Sequence, residues 1–352
     1  MKNKTGKILL LILLICSSCS SIYRFSIDVQ EPAAVTLPLS AQNVLILDNT
    51  VIQPKEYEIE RTFNGQLLRT DYPLSLDSMV WSATDEIVDV LNDSHFFKTV
   101  AIYKKSLRED AEWLSIKGIS PEMQSDFYGG IYNTLLVIDR LLFSVKEDVK
   151  KMPSYSSELS VGFVDMRTDG IIACSMYVDG EKNPIAAFSI SDSLFVKSIV
   201  EGDSTFFFKE IPEFMLSELS RTLGSRAAMC FIPTWNTVDR MFFKGFNSRM
   251  QEAAGYAANR KWADAESLWI NELGKKTNSV DKAKIAYNLA TANEMQDKLE
   301  TALRWAQNAK DYLKNADPNK NSQETELTDK YIAELERRIQ NNRLLDLQWG
   351  KE

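Results

Sequence analysis

The chain has 352 residues, a formal net charge of −8 and 44% hydrophobic residues. This length suits one large domain or two ordinary ones, and the apolar content is sufficient for buried cores. The acidic surplus excludes nucleic-acid-binding proteins, because their affinity comes largely from lysine and arginine displacing the counterions of phosphates.

The first 18 residues have the three-part layout of a bacterial export signal. Three lysines, an apolar run at 8–15 and two small residues precede Cys19. The run is too short to span a membrane, which takes roughly 20 apolar residues. The step from Ser18 to Cys19 resembles a bacterial lipoprotein cleavage site, although Cys16 stands where the consensus has leucine. The resemblance implies removal of residues 1–18 and acylation of Cys19, as by palmitate. An ordinary signal peptide is the alternative.

Lipid on Cys19 would hold the chain at a membrane, since each buried methylene contributes roughly 0.8 kcal/mol. Surface-exposed lipoproteins of Bacteroidota-type bacteria tend to carry acidic residues just after the cysteine, and residues 20–24 contain none. We therefore expect a lipid-anchored protein of the cell envelope, in the outer membrane and facing the periplasm.

Residues 19–30 are predicted to be a tether and first strand, and residues 31–245 an α/β domain. Apolar patterns predict strands at 24–30, 44–47, 97–103 and 133–143, and the Asn64-Gly65 turn signal predicts a hairpin or flap within 51–73. Helical periodicity predicts a long helix over 75–92 and a short one over 119–129.

Farther along, the pattern changes to hairpins. Strands are predicted at 159–166 and 171–178, joined by a turn at 167–170, with a third strand at 185–190. Helices are predicted at 192–200 and 211–223, the second ending at Gly224, before a last strand at 227–232. This order predicts an α+β fold with a mixed sheet and helices packed against it.

Residues 31–50 and the stretch 231–240 resemble an uncharacterised family of Bacteroidota lipoproteins. The resemblance implies an amino-terminal α/β domain followed by carboxy-terminal tetratricopeptide repeats. The order of elements also resembles the amino-terminal domain of TolB and the envelope lipoprotein LpoB, which are protein-interaction modules.

Residues 246–318 are predicted to form an all-α array of two tetratricopeptide-like repeats, with a capping helix and tail over 319–352. Ala253, Tyr256, Trp262, Ala265 and Trp269 have the repeat spacing, although Asn293 and Ala306 depart from it. A generic helical bundle is the alternative. Isolated arrays need about three repeats, so we expect this one to lean on the first domain through residues 235–243.

On the inner face of the second repeat, four side chains would line a groove and bind a protein partner. They are Lys284, Tyr287, Asn288 and Thr291. Lys284 and Asn288 resemble the pair with which some repeat proteins hold a peptide carboxylate. A solvated helix face is the alternative interpretation.

The sequence predicts no catalytic residue, metal site or cofactor. A nucleophilic triad would need the single histidine, His95, which stands at a helix end and is expected to stabilise it. Zinc sites draw on several His or Cys, and no phosphate-binding loop is present. Cys174 and Cys230 could pair in an oxidising periplasm or could be buried thiols.

Carboxylates are the remaining source of chemistry. Asp48, Asp139, Asp165 and Asp169 stand at strand ends or beside the predicted turn. Two of them meeting at a sheet edge would suit glycoside hydrolysis or a divalent metal. Aspartate also ends strands for local hydrogen-bonding reasons.

The main hypothesis is a non-enzymatic lipoprotein that acts as a protein-interaction or scaffold module. The alternative is a carboxylate-dependent enzyme acting on envelope glycans, and a third possibility is a purely structural role in the envelope.

Overall fold

The computed structural model describes residues 22–53, 56–63, 66–73, 76–112, 116–128, 130–151, 161–201, 211–245, 247–276, 278–315 and 322–351. The predicted signal at 1–18, Cys19 and the Asn64-Gly65 turn lie outside these residues. The chain divides into two compact units. The helical unit contains the segment through Glu31 and Trp235–Asp346, and the sheet unit contains Pro32–Thr234 and Leu347–Glu352.

The described residues form nine strands and eight helices. The strands are β1 (Ile22–Glu31), β2 (Asn43–Asp48), β3 (Glu56–Phe63), β4 (Gln66–Pro73), β5 (Thr99–Ile102), β6 (Thr134–Lys151), β7 (Val161–Val178), β8 (Ala186–Glu201) and β9 (Thr234–Phe243). The helices are α1 (Asp77–Asp93), α2 (Pro121–Tyr128), α3 (Ile211–Met229), α4 (Ser248–Ala258), α5 (Trp262–Leu273), α6 (Ser279–Glu294), α7 (Leu299–Lys314) and α8 (Ser322–Trp349). None of these helices has the length and apolar character needed to cross a bilayer.

The sheet unit is built around the long strand β6. β2 and β3 pair with it in parallel, and β7 pairs with it antiparallel. β5, β4 and β8 extend the sheet from β2, β3 and β7. The fold is therefore mixed α/β, with a mixed sheet followed by a helical carboxy-terminal part.

Apolar side chains cover both faces of this sheet. On one face, Ile46 and Leu136 are buried against Ile87 of α1 and Leu219 of α3. On the other face there is a smaller cluster, in which Leu135 and Val137 are buried with Ile119 and Tyr177. The first and last parts of Pro32–Thr234 are joined by a hydrogen bond, in which the Val35 N–H donates to the Cys230 carbonyl at 3.0 Å.

Most predicted elements before residue 160 are confirmed. The strands predicted at 24–30, 44–47 and 97–103 correspond to β1, β2 and β5, and the hairpin within 51–73 to β3 and β4. The two helices predicted there are α1 and α2, and the strand predicted at 133–143 continues to Lys151.

The turn predicted at 167–170 is wrong, because these residues lie inside the continuous strand β7. Helix α3 packs closely over Gly170, where a Cβ would lie 2.8 Å from Leu223 Cδ1. The glycine therefore makes room for the helix. The helix predicted at 192–200 is also wrong. These residues belong to β8, where Leu194 and Val196 alternate toward the core.

The strand predicted at 227–232 is wrong because α3 continues to Met229, with Ala227 and Ala228 fully buried. Gly224 does not end the helix. A Cβ on Gly224 would be 2.4 Å from the Ala83 carbonyl oxygen, so this glycine lets α1 and α3 approach closely.

In the helical unit, β1 and β9 form a two-stranded ribbon beside α4–α8. Side-chain hydrogen bonds join Ser26 to Asp239 at 2.8 Å and Thr237 to Asp28 at 2.6 Å, so the strands run in opposite directions. Residues 235–243, which we assigned to the first domain and through which we expected the helices to lean on it, belong to the helical unit itself. Phe242 belongs to a cluster with Trp269, whereas Met241 and Phe243 belong to another with Tyr287 and Tyr331.

Candidate functional site

The predicted groove residues Asn288 and Thr291 hold the chain's own strand β9. The Asn288 Oδ1 accepts from the Phe243 N–H at 2.7 Å, and its Nδ2 donates to the Phe243 carbonyl at 2.8 Å. The Thr291 hydroxyl donates to the Met241 carbonyl at 3.1 Å. Both α6 side chains are fully buried. Two polar side chains thus replace the neighbouring strand that these backbone groups would otherwise need.

The other two predicted residues flank Phe243. The Tyr287 ring meets the Phe243 ring edge-on at 5.6 Å, and its phenol has a pKa raised by burial. The Lys284 Nζ lies 5.4 Å from the Phe243 ring centroid and 3.1 Å from Glu324 Oε1. The structure therefore brings all four residues together around the end of β9. Binding of an outside protein by them stays a prediction.

A buried cluster of charged side chains also holds β9, at Arg240. Glu294, whose side chain is 0% exposed, accepts from Arg240 Nε at 2.9 Å and from the Tyr331 hydroxyl at 2.6 Å. Arg338 also donates to this carboxylate. Burial alone would lower the pKa of Arg240, but hydrogen bonding to Glu294 and its charge outweigh burial and raise that pKa.

Sequence reasoning missed this cluster, which joins β9, α6 and α8. The available signal was an arginine directly before the apolar run Met241-Phe242-Phe243, because a charge at the edge of a buried segment needs a partner. The identity of that partner has no local signature, since Glu294 lies 54 positions away.

A cavity of about 390 Å³ adjoins the held strand. Its apolar lining consists of Val238, Met241, Tyr287, Leu327 and Tyr331, and its polar lining of Arg24, Asp239, Arg240, Lys330 and Glu334. Ligand pockets usually measure about 300–1,000 Å³ and combine apolar walls with a few polar groups. This cavity therefore has the size and chemistry to accept one or two side chains of a peptide.

In the sheet unit, Asp139 is buried at a bulge, where the β6–β7 register shifts between Ile138 and Arg140. Its carboxylate accepts from Asn49 Nδ2 at 3.1 Å and from the Ser175 hydroxyl at 2.5 Å. Burial raises the pKa of Asp139 and outweighs these hydrogen bonds. The space beside it is about 10 Å³, which is near the minimum for one water molecule.

The other three candidate carboxylates have different, local partners. Asp48 accepts from the Thr50 N–H at 2.9 Å. Asp169 accepts from Arg167 Nε at 2.7 Å, and Asp165 lies 3.5 Å from Lys197 Nζ. Within the described ranges, no three His, Cys, Asp or Glu side chains are placed to hold a metal ion.

His95 and the two thiols occupy structural positions. His95 follows α1 with φ of 55°, and its Nδ1 lies 2.9 Å from the Asn92 carbonyl oxygen. Cys174 and Cys230 are free thiols, and burial raises the pKa of Cys174.

Two solved structures have a distant similarity to this chain. One is a protein from Xanthomonas campestris described by family model DUF330, with 10% identity, a TM-score of 0.26, and coverage of 56% of this chain and 90% of that one. The other is a putative neuraminyllactose-binding hemagglutinin homolog from Helicobacter pylori, with 11% identity, a TM-score of 0.24, and coverage of 53% and 81%. At these TM-scores neither similarity bears on fold or function.

No curated protein matches the chain. Residues 251–337 match the family model "Domain of unknown function (DUF6340)". Residues 41–243, more than half of the chain, match the model "Domain of unknown function (DUF8603)". The chain therefore belongs to the DUF8603 family.

Proposed function

We propose that this protein is a non-enzymatic lipoprotein that acts as a protein-interaction or scaffold module of the cell envelope. Acylated Cys19 anchors it in the outer membrane, facing the periplasm. Support comes from the export signal ending at Cys19 and from the resemblance to Bacteroidota lipoproteins. The proposal includes a sheet unit of the TolB and LpoB kind and tetratricopeptide-like helices.

The observation that carries this proposal is the way α6 holds β9. Asn288 and Thr291 bind backbone groups of Phe243 and Met241, so they contact features that every peptide has. Main-chain hydrogen bonds of this kind provide affinity in peptide recognition, and side-chain pockets provide specificity. The helices thus already bind one extended segment, with a cavity next to it.

In this proposal the cavity of about 390 Å³ is the specificity pocket. Tyr287, Leu327 and Tyr331 give it an apolar wall suited to an apolar side chain of the partner. Arg24 and Lys330 are in the lining and would attract an acidic group. Lys330 already forms an ion pair, because its Nζ lies 2.6 Å from Glu326 Oε1. Arg24 has no carboxylate partner among the described residues.

The repeats proposed here are α4–α5 and α6–α7, with α8 as the capping helix. Two repeats alone bury too little apolar surface. Strand β9 contributes Met241 and Phe243 to one apolar cluster of the helices and Phe242 to the other. We propose that these three side chains substitute for a third repeat.

The glycan-hydrolysing alternative has less support. A sugar ring needs far more space than the roughly 10 Å³ beside Asp139, and the other candidate carboxylates have separate local partners.

Photo-cross-linking in intact cells tests the proposal. A photoreactive amino acid replaces Leu327, which lines the cavity. The matched control carries it at Ile270, which is 48% exposed on α5. Mass spectrometry of the adducts should identify one dominant envelope protein from position 327 and not from position 270. Identical adducts at both positions, or no reproducible adduct at position 327, would contradict the cavity as a partner site.

A further inference from the structure

The ribbon of β1 and β9 has two edges, and only the β9 edge is closed. There, Asn288 binds both the N–H and the carbonyl of Phe243. Thr291 binds the Met241 carbonyl on the same edge. Within the described residues, β1 pairs with β9 alone, so the backbone groups on its other side have no strand to bind. An edge of this kind is a template for pairing with another chain.

The register of the ribbon decides which backbone groups of β1 point outward. The Ser26 hydroxyl donates to Asp239, so even-numbered residues of β1 lie opposite odd-numbered residues of β9. Phe243 is one of these odd-numbered residues, and both of its backbone groups point away from β1. Residues that lie opposite each other in an antiparallel pair share this orientation. The N–H and carbonyl groups of Arg24, Ser26 and Asp28 therefore point away from β9.

The sequence along this open edge is complementary to itself. If a second β1 pairs with it in the antiparallel sense about a two-fold axis at Ser26, Arg24 lies opposite the second copy's Asp28, and Asp28 opposite its Arg24. An axis at Arg24 or at Asp28 would instead place like charges opposite each other. On the other face, Phe25 would lie opposite the second copy's Ile27. Opposite charges, and an aromatic side chain beside a β-branched one, are favourable cross-strand pairs.

Both charges are available for this pairing. Arg24 and Asp28 are exposed, and neither forms an ion pair with another described residue. The Asp28 Oδ1 accepts from the Thr237 hydroxyl at 2.6 Å, which leaves the second carboxylate oxygen to accept from a partner. A cavity of about 650 Å³ borders β1 between Tyr23 and Asp28. The side chains of an added strand therefore have space beside β1.

We infer that β1 pairs with the β1 of a second copy of this chain, in an antiparallel arrangement centred on Ser26. The two ribbons then form one sheet of four strands in the order β9, β1, β1, β9. Two-fold symmetry makes each cross-strand contact occur twice. The inference goes beyond the proposed function, because it concerns the β1 edge and not the cavity beside β9.

Self-association of residues 19–352 with Cys19→Ser, measured by sedimentation velocity over a range of concentrations, tests the inference. The parent should form a dimer that dissociates on dilution. Arg24→Asp or Asp28→Arg should each weaken association roughly tenfold or more, because both symmetry-related pairs change from attraction to repulsion.

Mixing these two single variants is the decisive experiment. One copy then has acidic side chains at both positions and the other has basic ones, so every cross-strand pair again joins opposite charges. The mixture should form heterodimers that are as stable as the parent dimer. Positions 24 and 28 are about 13 Å apart along one strand, so these charges cannot pair within a chain. Rescue on mixing therefore reports contact between chains and not repair of a fold.

A thiol at the proposed axis tests the register. Cα atoms of a hydrogen-bonded antiparallel pair are about 5.5 Å apart, within the range that a disulfide bridges. Ser26→Cys, combined with Cys230→Ala, should therefore cross-link two copies under mild oxidation. The control thiol replaces Trp235, which is 70% exposed at the start of β9 and should cross-link far less.

The control for charge is Arg249→Asp, which reverses an exposed arginine on α4 and should leave the dimer unchanged. Circular dichroism checks that each variant is folded. A parent that is monomeric at every concentration, equal weakening by Arg249→Asp, or a mixture that associates no better than its components would overturn the inference.

Failure of the proposed function has a different sign. Arg24 also lines the cavity of about 390 Å³, but Asp28 does not, so Asp28→Arg affects the β1 edge alone. Cross-linking from position 327 reports the partner of that cavity independently. A dimer through β1 without an adduct from position 327 would sink the proposed partner site and leave this inference intact.

Discussion

Asn288 shows how one side chain can take the place of a strand. Its amide offers an acceptor and a donor on neighbouring atoms, which match the N–H and carbonyl of Phe243. A buried backbone group left without a partner costs about 1–3 kcal/mol. The inward-facing position of Asn288 was open to prediction from the repeat spacing. Its ligand was not, because the bound strand is 45 positions away and has no local sequence signature.

A second residue, Asp139, predicts how the stability of the protein depends on pH. Burial raises its pKa above the ordinary 3.8, so the folded protein keeps this proton at a pH where the unfolded chain has lost it. A raised carboxyl pKa makes stability fall as pH rises from the unfolded to the folded pKa. Asp139→Asn removes the titration. The free energy of unfolding of the wild type should therefore fall relative to that of the variant between pH 4 and pH 7 in guanidinium titrations.

Asp192 is the matched control with the opposite sign. The Ser193 N–H and Arg226 lower its pKa, so its contribution is present above the unfolded pKa and is lost as pH falls. Asp192→Asn should therefore cost more stability at pH 7 than at pH 2, which lies well below the unfolded pKa. The same pH trend in both variants would show that Asp139 does not titrate as its burial demands.

At the scale of elements, two glycines in helices predict opposite outcomes. A Cβ at Gly224 would be 2.4 Å from the Ala83 carbonyl oxygen, whereas a Cβ at Gly255 in α4 meets nothing within 4 Å. Gly224→Ala should lower the free energy of unfolding by about 1–3 kcal/mol, because α1 and α3 must separate. Gly255→Ala should raise it by about 0.5–1 kcal/mol through helix propensity. Denaturant midpoints measure both, and a gain for Gly224→Ala would refute the close helix crossing.

The same glycines explain which elements the sequence could predict. Strands β1, β2 and β5 and helices α1 and α2 follow from local periodicity and are confirmed. Asp169-Gly170 and Gly224 have the chemistry of a turn and a helix end. Their actual role is to make room for another element, α3 over β7 and α1 against α3. That role depends on tertiary packing, which a single sequence does not encode locally.

At the scale of the whole molecule, β9 decides whether the helices can fold alone. Met241, Phe242 and Phe243 are buried among them, and each such side chain contributes about 1.5–3 kcal/mol. Their sum is comparable to the 5–15 kcal/mol that stabilises an ordinary domain. A fragment of residues 248–346 should therefore lack a cooperative thermal transition by circular dichroism, and a fragment of residues 235–346 should be more stable.

The control for that comparison is Trp235→Ser in the longer fragment. Trp235 is 70% exposed, so its loss should leave the thermal midpoint nearly unchanged. Equal midpoints for the two fragments would mean that β9 is held by the helices without stabilising them.

The hydrogen bond from Val35 to Cys230 has a consequence for the order of folding. Ser26 and Asp239 are 213 positions apart, so pairing β1 with β9 in an unfolded chain closes a loop of about 200 residues. Once the sheet unit has folded, Val35 and Cys230 are already adjacent, and the effective loop shrinks to about 20 residues. Loop-closure entropy then favours the ribbon by about 2 kcal/mol. Strand β1, although synthesised before β9, thus gains its partner at the lowest entropic cost after some 200 later residues have folded.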